Sequence, residues 1–400
     1  MPDQRTQPGI PGVSEAALFN LGFRPFFLGA GVFAVLSVSL WMAVYVFRLP
    51  LPLDVVSAFQ WHAHEMIYGY TMAVISGFLL TAIRNWTGIQ TVCGTRLCWL
   101  FFFWAAARVL YMGGTKLIYA AAVFDMLFVV FLGVAITRPI VRAGQWKQMA
   151  VVSKVVILGL GNLCFYLGYL GLLEHGMYWG IYGGLYLIVA LVLTISRRVV
   201  PSFIERGVDY QVQLFNSKWI DVLSLLAFVA FFVAEVFVRN ADIAAFLALG
   251  LFVLHTVRLA GWYTHGIWSS PLLWSLYVAL WFITAGFLLI FLSAFHYVPG
   301  ILAVHAFGFG GIGIVTMGMM ARVSLGHTGR DVRNPPRAIF YALGLLLLGA
   351  ITRVIVPLFE SHHYVAWIAI SQALWIGSFL LFVVIYAPVL VRPRVDAGFG

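Results

Sequence analysis

Long apolar runs recur along the whole of this 400-residue chain, and they restrict its fold more than any other feature. They fall at about 22–47, 59–83, 97–112, 117–137, 150–173 and 177–196, then at 218–238, 243–264, 271–293, 298–321, 338–358 and 364–391. Wound as helices rising 1.5 Å per residue, runs of this length cross roughly 30 Å of hydrocarbon. Lipid offers a backbone no water, so each segment must satisfy its own hydrogen bonds, as a helix does. Charged residues make up only 10% of the chain, against about a quarter in soluble domains. The expectation is an all-α fold: a polytopic membrane helix bundle with about 12 transmembrane helices.

The formal net charge of +10 raises the question of nucleic acid, which the placement of the charges answers. With twelve spans, nineteen of the 24 Lys and Arg fall on the side of the chain termini. Four (Arg48, Lys116, Arg239, Arg353) fall on the other, and Arg108 lies inside the third span. That is the positive-inside pattern. It places both termini in the cytoplasm and makes nucleic acid an improbable partner.

Residues 1–21 read as a cytoplasmic tail, 22–391 as a single helix-bundle domain and 392–400 as a second tail. No basic segment followed by a short apolar core and a small-residue cleavage site opens the chain, so no cleaved signal peptide is expected. The longest connections are cytoplasmic, and the one at about 200–217 is where two six-helix halves would meet. Cys93, Cys98 and Cys164 form no C-x-x-C-H pattern, so any haem is held non-covalently.

Ten His are present, and topology sorts them. His175, His296, His362 and His363 fall in or beside outer loops, where a solvated ring is the simple reading. His62, His64, His255 and His305 fall inside spans, where an ionisable group is costly unless it has a partner or a task. His62 and His64 lie about three to five residues into the second span and His305 about seven into the tenth. At 1.5 Å per residue all three sit within roughly 6 Å of one another in depth, near the outer leaflet. Such a level suits an axially ligated haem standing along the membrane normal.

In the stretch WHAHEM (61–66) the two His are about 200° apart on a helix and so serve different partners. Glu65 and Met66, three and four residues after His62, share its face. Depth favours His64 as the haem ligand and His62 with Glu65 as a second site. Beside His305, Gly308, Gly311 and Gly313 leave little bulk, which suits either a flat macrocycle or a closely packed helix. Met317, Met319 and Met320 are ordinary core residues before they are copper ligands. Arg322, His327 and Arg330, at the cytoplasmic end of the same span, read equally as an anion site or as a helix stop with topogenic charges. His255, near mid-bilayer, is open to three readings: metal ligand, proton relay or buried hydrogen bond.

LGFRPFF (21–27), WHAHEM followed by GFLLTAIRNWTG, RRVVPSF (197–203) and HAFGFGGIGIVTMGMMARVSLGHTGR (305–330) together resemble the NnrS family. The likeness covers most of the chain. It implies a bacterial inner-membrane protein of nitric oxide metabolism and of resistance to nitrosative stress, containing b-type haem and copper. Arg24, His62, His64, Glu65, Arg197, His305, Arg322, His327 and Arg330 occupy the motif positions, with no assignment of one His to one metal.

The leading function is therefore a haem and copper membrane protein that binds or converts nitric oxide or a related small molecule. Whether it is an oxidoreductase stays open. A secondary transporter and a quinol-linked membrane cytochrome with an electron-transfer partner are the alternatives, and lipid is the surroundings in every case.

Overall fold

The computed structural model describes residues 17–50, 56–396 and 398. Arg5 and most of the expected N-terminal tail lie outside the described residues, as do three positions of the C-terminal tail.

Twelve long helices follow one another: α1 (Phe23–Tyr45), α2 (Ala58–Thr87), α3 (Thr95–Tyr111), α4 (Ile118–Arg142), α5 (Trp146–Tyr169) and α6 (Gly176–Gly207). After them come α7 (Lys218–Val238), α8 (Ala241–Trp262), α9 (Pro271–Ala294), α10 (Ile301–Gly326), α11 (Ala338–Leu358) and α12 (Tyr364–Val391). Among the described residues there is no strand. Eleven of these helices are long and apolar enough to cross a membrane on those grounds alone. The exception is α3, which has 17 residues and carries Arg108; with it the crossings number twelve, as the charge distribution requires.

The helix starts are set by local chemistry. Ser57 caps α2 in a reciprocal box, accepting from the Gln60 amide at 3.2 Å while Gln60 Oε1 accepts from the Ser57 amide at 2.9 Å. Asn240 caps α8 by accepting from the Ile243 amide, and Pro271 opens α9 where its missing N–H costs nothing.

Three helices run further than the apolar runs predict. α4 continues to Arg142 past Pro139, α6 to Gly207 past Pro201, and α10 to Gly326 past Arg322. An arginine marks the edge of the hydrocarbon and not the end of hydrogen bonding, and the apolar face of α6 stays packed as far as Ile204. The connections at the basic end of the bundle are correspondingly short.

Both ends of the chain meet at the basic end of the bundle. The Gly94 amide donates to Phe19 O at 2.8 Å, and Arg24 Nη1 donates to the carbonyls of Leu390 and Arg392 at 2.7 and 2.8 Å, closing the end of α12. Outward faces such as Phe131, Leu225, Leu226, Phe246 and Val384 stay exposed, as a lipid-facing surface must. α2 and α10 are the inner pair, with 78% and 72% of their apolar windows buried, and Tyr70 and Thr316 join them by a hydroxyl contact of 2.6 Å. Each of these two helices contains a π-helical stretch, Glu65–Thr71 in α2 and Ala306–Gly313 in α10; further π stretches lie at Trp179–Gly183 in α6 and Ile351–Ile355 in α11.

Candidate functional site

Four of the five π stretches among the described residues surround one space, the fifth being Val233–Val238 in α7. A widened turn leaves a gap in the packing and re-aims the side chains beside it, which is why such turns gather at functional sites. Here a cavity of about 610 Å³ lies between α1, α2, α6, α10, α11 and α12, lined by His62, Met66, Tyr70, Tyr182, His305, Gly308, Phe309, Arg353, Gln372 and Trp375 among others. His62 is four residues after the first residue of α2 and His305 four after that of α10, so the two imidazoles enter at one level from helices running in the same direction. Arg353, five residues before the end of α11, meets them at that depth.

His62 lies flat on Trp41, ring centroids 4.6 Å apart and planes 6° from parallel, and its buried Nδ1 has no hydrogen-bond partner. His305 Nδ1 donates to Ile301 O at 2.9 Å, which fixes the tautomer and leaves the Nε2 lone pair to accept from Arg353 Nη2 at 3.1 Å. Arg353 Nη1 donates to the Tyr364 hydroxyl at 2.9 Å. The buried Gln372 amide finds no partner at either end.

The glycines beside His305 divide by task. A Cβ on Gly308 would meet nothing within 4 Å, so this position is bare cavity wall. A Cβ on Gly310 would lie 2.3 Å from Phe282, on Gly311 2.4 Å from Ile283 and on Gly313 2.6 Å from Trp375; these three are bare so that helices can approach.

His64 points the other way. Its Nδ1 meets Glu65 Oε1 and its Nε2 meets Asn162 Oδ1, both at 2.9 Å, so both ring nitrogens have a partner. Arg108 Nη1 donates to Glu65 at 2.6 Å and Nη2 lies 2.5 Å from Asp125 Oδ1, while Tyr166 and Asn162 donate to Asp125 Oδ2. Rings of Tyr68, Tyr111, Phe165 and Tyr166 enclose the imidazole, and His64, Glu65, Arg108 and Asp125 are each at most 4% exposed. Glu65 therefore belongs with His64 and not with His62, contrary to the expected shared face. Its place on the helix lies between the two sides, and the guanidinium on α3 draws it to this one.

The remaining expected site residues lie elsewhere. His255 Nδ1 accepts from Arg258 at 3.2 Å and its ring stacks on Phe287; Arg258 also reaches Asp221, which pairs with Arg197 at 3.2 Å. This group ties α6, α7 and α8 together toward the basic end of the bundle. Arg24 is occupied with the end of α12, Arg322 covers the Phe203 ring at 3.9 Å, and Arg330 reaches its neighbour Thr328 O. His327 packs beside Phe23, where burial, with Arg394 and Arg84 adding to it, holds its imidazole below the ordinary range. None of these residues lines the cavity. Met317 and Met320 are buried in the core, Met317 accepting from Ser378.

Arg353, Gln372 and Trp41 complete the site without having stood out in the sequence. One signal was present for Arg353: it is among the few basic residues on the outer side of the bundle and sits within an apolar run.

A multi-pass helical membrane protein with an apolar cavity set between two imidazoles and one arginine is the class this geometry defines. A family model described as NnrS protein matches residues 17–394, nearly the whole chain, and the protein belongs to the NnrS family. It is thereby a membrane protein related to nitric oxide in general. No curated protein matches the chain.

Proposed function

We propose that the protein is a haem-binding protein of the bacterial inner membrane that takes up nitric oxide in the response to nitrosative stress, with its haem in the cavity between His62 and His305. One observation carries the reading. Two imidazoles enter an apolar space of about 610 Å³ at the same level, and beside His305 its wall is a bare glycine, Gly308. The size falls within the roughly 300–1,000 Å³ of small-molecule and cofactor sites.

The donor chemistry fits as well. His305 donates its Nδ1 proton to a backbone carbonyl, the outer contact that metal-bound imidazoles usually make, and His62 lines the same cavity. Bound haem would supply a reducible iron able to take a diatomic gas. The chain's own part is to hold the group, to keep it in a dry apolar slot, and to orient His62 by the Trp41 stack.

Copper fits less well. Among the described residues no three His, Cys, Asp or Glu side chains come together to hold a metal ion, and the cavity offers only the two imidazoles and the Met66 thioether. No step is assigned to it.

The secondary-transporter reading has one observation in its favour, the closed ionic group of His64, Glu65, Arg108 and Asp125 at membrane depth. Metal and haem analysis of natively expressed protein separates the two. Haem bound at one per chain, with a ferrous spectrum that shifts on addition of nitric oxide, supports the proposal; protein that is fully folded and free of haem refutes it. A reduced spectrum indifferent to the gas would leave a quinol-linked cytochrome.

A further inference from the structure

Arg353 is only 7% exposed, inside an apolar run and at the wall of an apolar cavity, yet its donors go to a neutral imidazole nitrogen and a phenol. Among the described residues no carboxylate pairs with it. The other arginines buried within the bundle at membrane depth are treated differently: Arg108 has Glu65 and Asp125, and Arg258 has Asp221. A buried cation without an anion is an expensive arrangement, and one that natural chains keep for ligands. Gln372, also lining the cavity and 5% exposed, leaves both of its amide atoms unused. The site is therefore short of one negative charge and of hydrogen-bond partners, while the rest of its lining is apolar or aromatic.

We propose that Arg353 receives a carboxylate of the ligand that fills this cavity, and that its bond to His305 Nε2 is a resting contact which the carboxylate displaces. The inference rests on the haem reading above, under which the carboxylate is a propionate. It also accounts for the position of Arg353 on the lone pair of His305. With no ligand present the guanidinium and the imidazole satisfy each other; when a carboxylate takes the guanidinium, Nε2 is released at the moment the ligand arrives. A carboxylate adds to the hydrogen bond a charge attraction that the neutral imidazole cannot offer the guanidinium, so the exchange runs toward the ligand.

The test pairs a change in the protein with a change in the ligand. Apoprotein from haem-deficient cells, in detergent, is titrated with protohaem and with its dimethyl ester, which has the same ring and iron and no carboxylate. Wild type should bind protohaem about tenfold more tightly than the ester, the discrimination a single charge-assisted bond gives. Arg353→Gln should bring the two affinities within about twofold of each other, and Arg353→Lys, a point charge in place of a fork, should restore part of the difference. Equal affinities in wild type, or discrimination unchanged in Arg353→Gln, would overturn the role of Arg353 and leave the haem reading standing. Failure of wild type to bind either ligand would overturn both. A second readout guards against a fold effect: because the empty protein carries an uncompensated cation, the Arg353→Gln apoprotein should melt no lower than wild type. A variant that melts well below wild type or fails to fold would make Arg353 a structural residue and refute the proposal.

Discussion

His62 and His64 stand two residues apart in α2 and share no environment: His62 lies on Trp41 at 4.6 Å at the wall of an open cavity, whereas His64 has both ring nitrogens bound in a closed ionic group. The capping box at Ser57 starts the helix before either residue, so both are held in helical geometry and the angle of about 200° between them is enforced. A single apolar run thus presents one imidazole to a ligand and buries the other as structure.

Substituting the two His in one background should separate these tasks. His62→Ala should lose or greatly weaken haem binding while the melting temperature stays close to wild type, since His62 makes no hydrogen bond to lose. His64→Ala should keep the cavity lining but leave Glu65 and Asn162 short of a partner, at a cost of about 1–3 kcal/mol. Haem per chain and thermal unfolding in detergent, measured on both variants, check this; equal loss of haem in both at unchanged stability would contradict the assignment.

The glycines after His305 make a second pair. Gly308→Leu places its side chain in open cavity, so it should fold normally and exclude a ligand. Gly310→Ala drives a methyl to within 2.3 Å of Phe282 and should cost about 1–3 kcal/mol in stability. The reverse order of effects, with Gly308→Leu unstable and Gly310→Ala unable to bind, would mean that the macrocycle face is the other one.

Much of this was legible in the sequence, and the exceptions have physical causes. Span count, sidedness and the approximate depth of His62 and His305 follow from run length, charge placement and a fixed rise per residue, all of which average over many residues. What a 3.6-residue period cannot show is the π turns at Glu65–Thr71, Ala306–Gly313 and Ile351–Ile355, and these make the cavity and aim its side chains. Glu65 went to the wrong group because its choice between two faces depends on Arg108, forty-three residues away. In the sequence Arg353 counts only as one of four charges on the side away from the termini, since hydropathy weighs one arginine against about twenty apolar neighbours and cannot say which way it points. The conspicuous motif arginines, Arg24 and Arg322, turn out to cap a helix end and cover an aromatic ring.

At the basic end of the bundle the C-terminal segment is clasped to the turn after α10. Arg394 Nη1 donates to His327 O at 3.1 Å, the Val395 amide donates to Thr328 O at 3.2 Å, and the hydrogen bond from Arg394 holds the Asp396 carboxyl down at about 2. A carboxyl lowered in the folded state stabilises above its unfolded value and loses that contribution as pH falls through the folded one. The clasp should accordingly be unchanged from pH 7 down to about 4 and open only toward pH 2. Amide exchange at Val395 reads this directly, and Asp396→Asn should raise that exchange at neutral pH. An opening already complete at pH 5 would show that another group, not Asp396, holds the segment.

The ionic group behind His64 should behave as a rigid back wall, because its parts come from four helices. Glu65 and His64 belong to α2, Arg108 to α3, Asp125 to α4 and Asn162 to α5, and Arg108 bridges the two carboxylates at 2.6 and 2.5 Å. Arg108 is the guanidinium that faces both carboxylates, so removing one of these charges leaves another buried without its partner, at a cost of about 3–5 kcal/mol. Asp125→Asn, nearly the same in shape, should therefore lower the melting temperature markedly, and Arg108→Met should do the same or prevent insertion. Combining the neutral changes at both partners, Arg108→Met with Asp125→Leu, should recover part of the loss, because the desolvation of both charges disappears together. Haem affinity per folded chain should move little throughout, since no member of the group lines the cavity. Single variants of normal stability that instead lose activity or change its pH profile would make this group a proton path and not a wall.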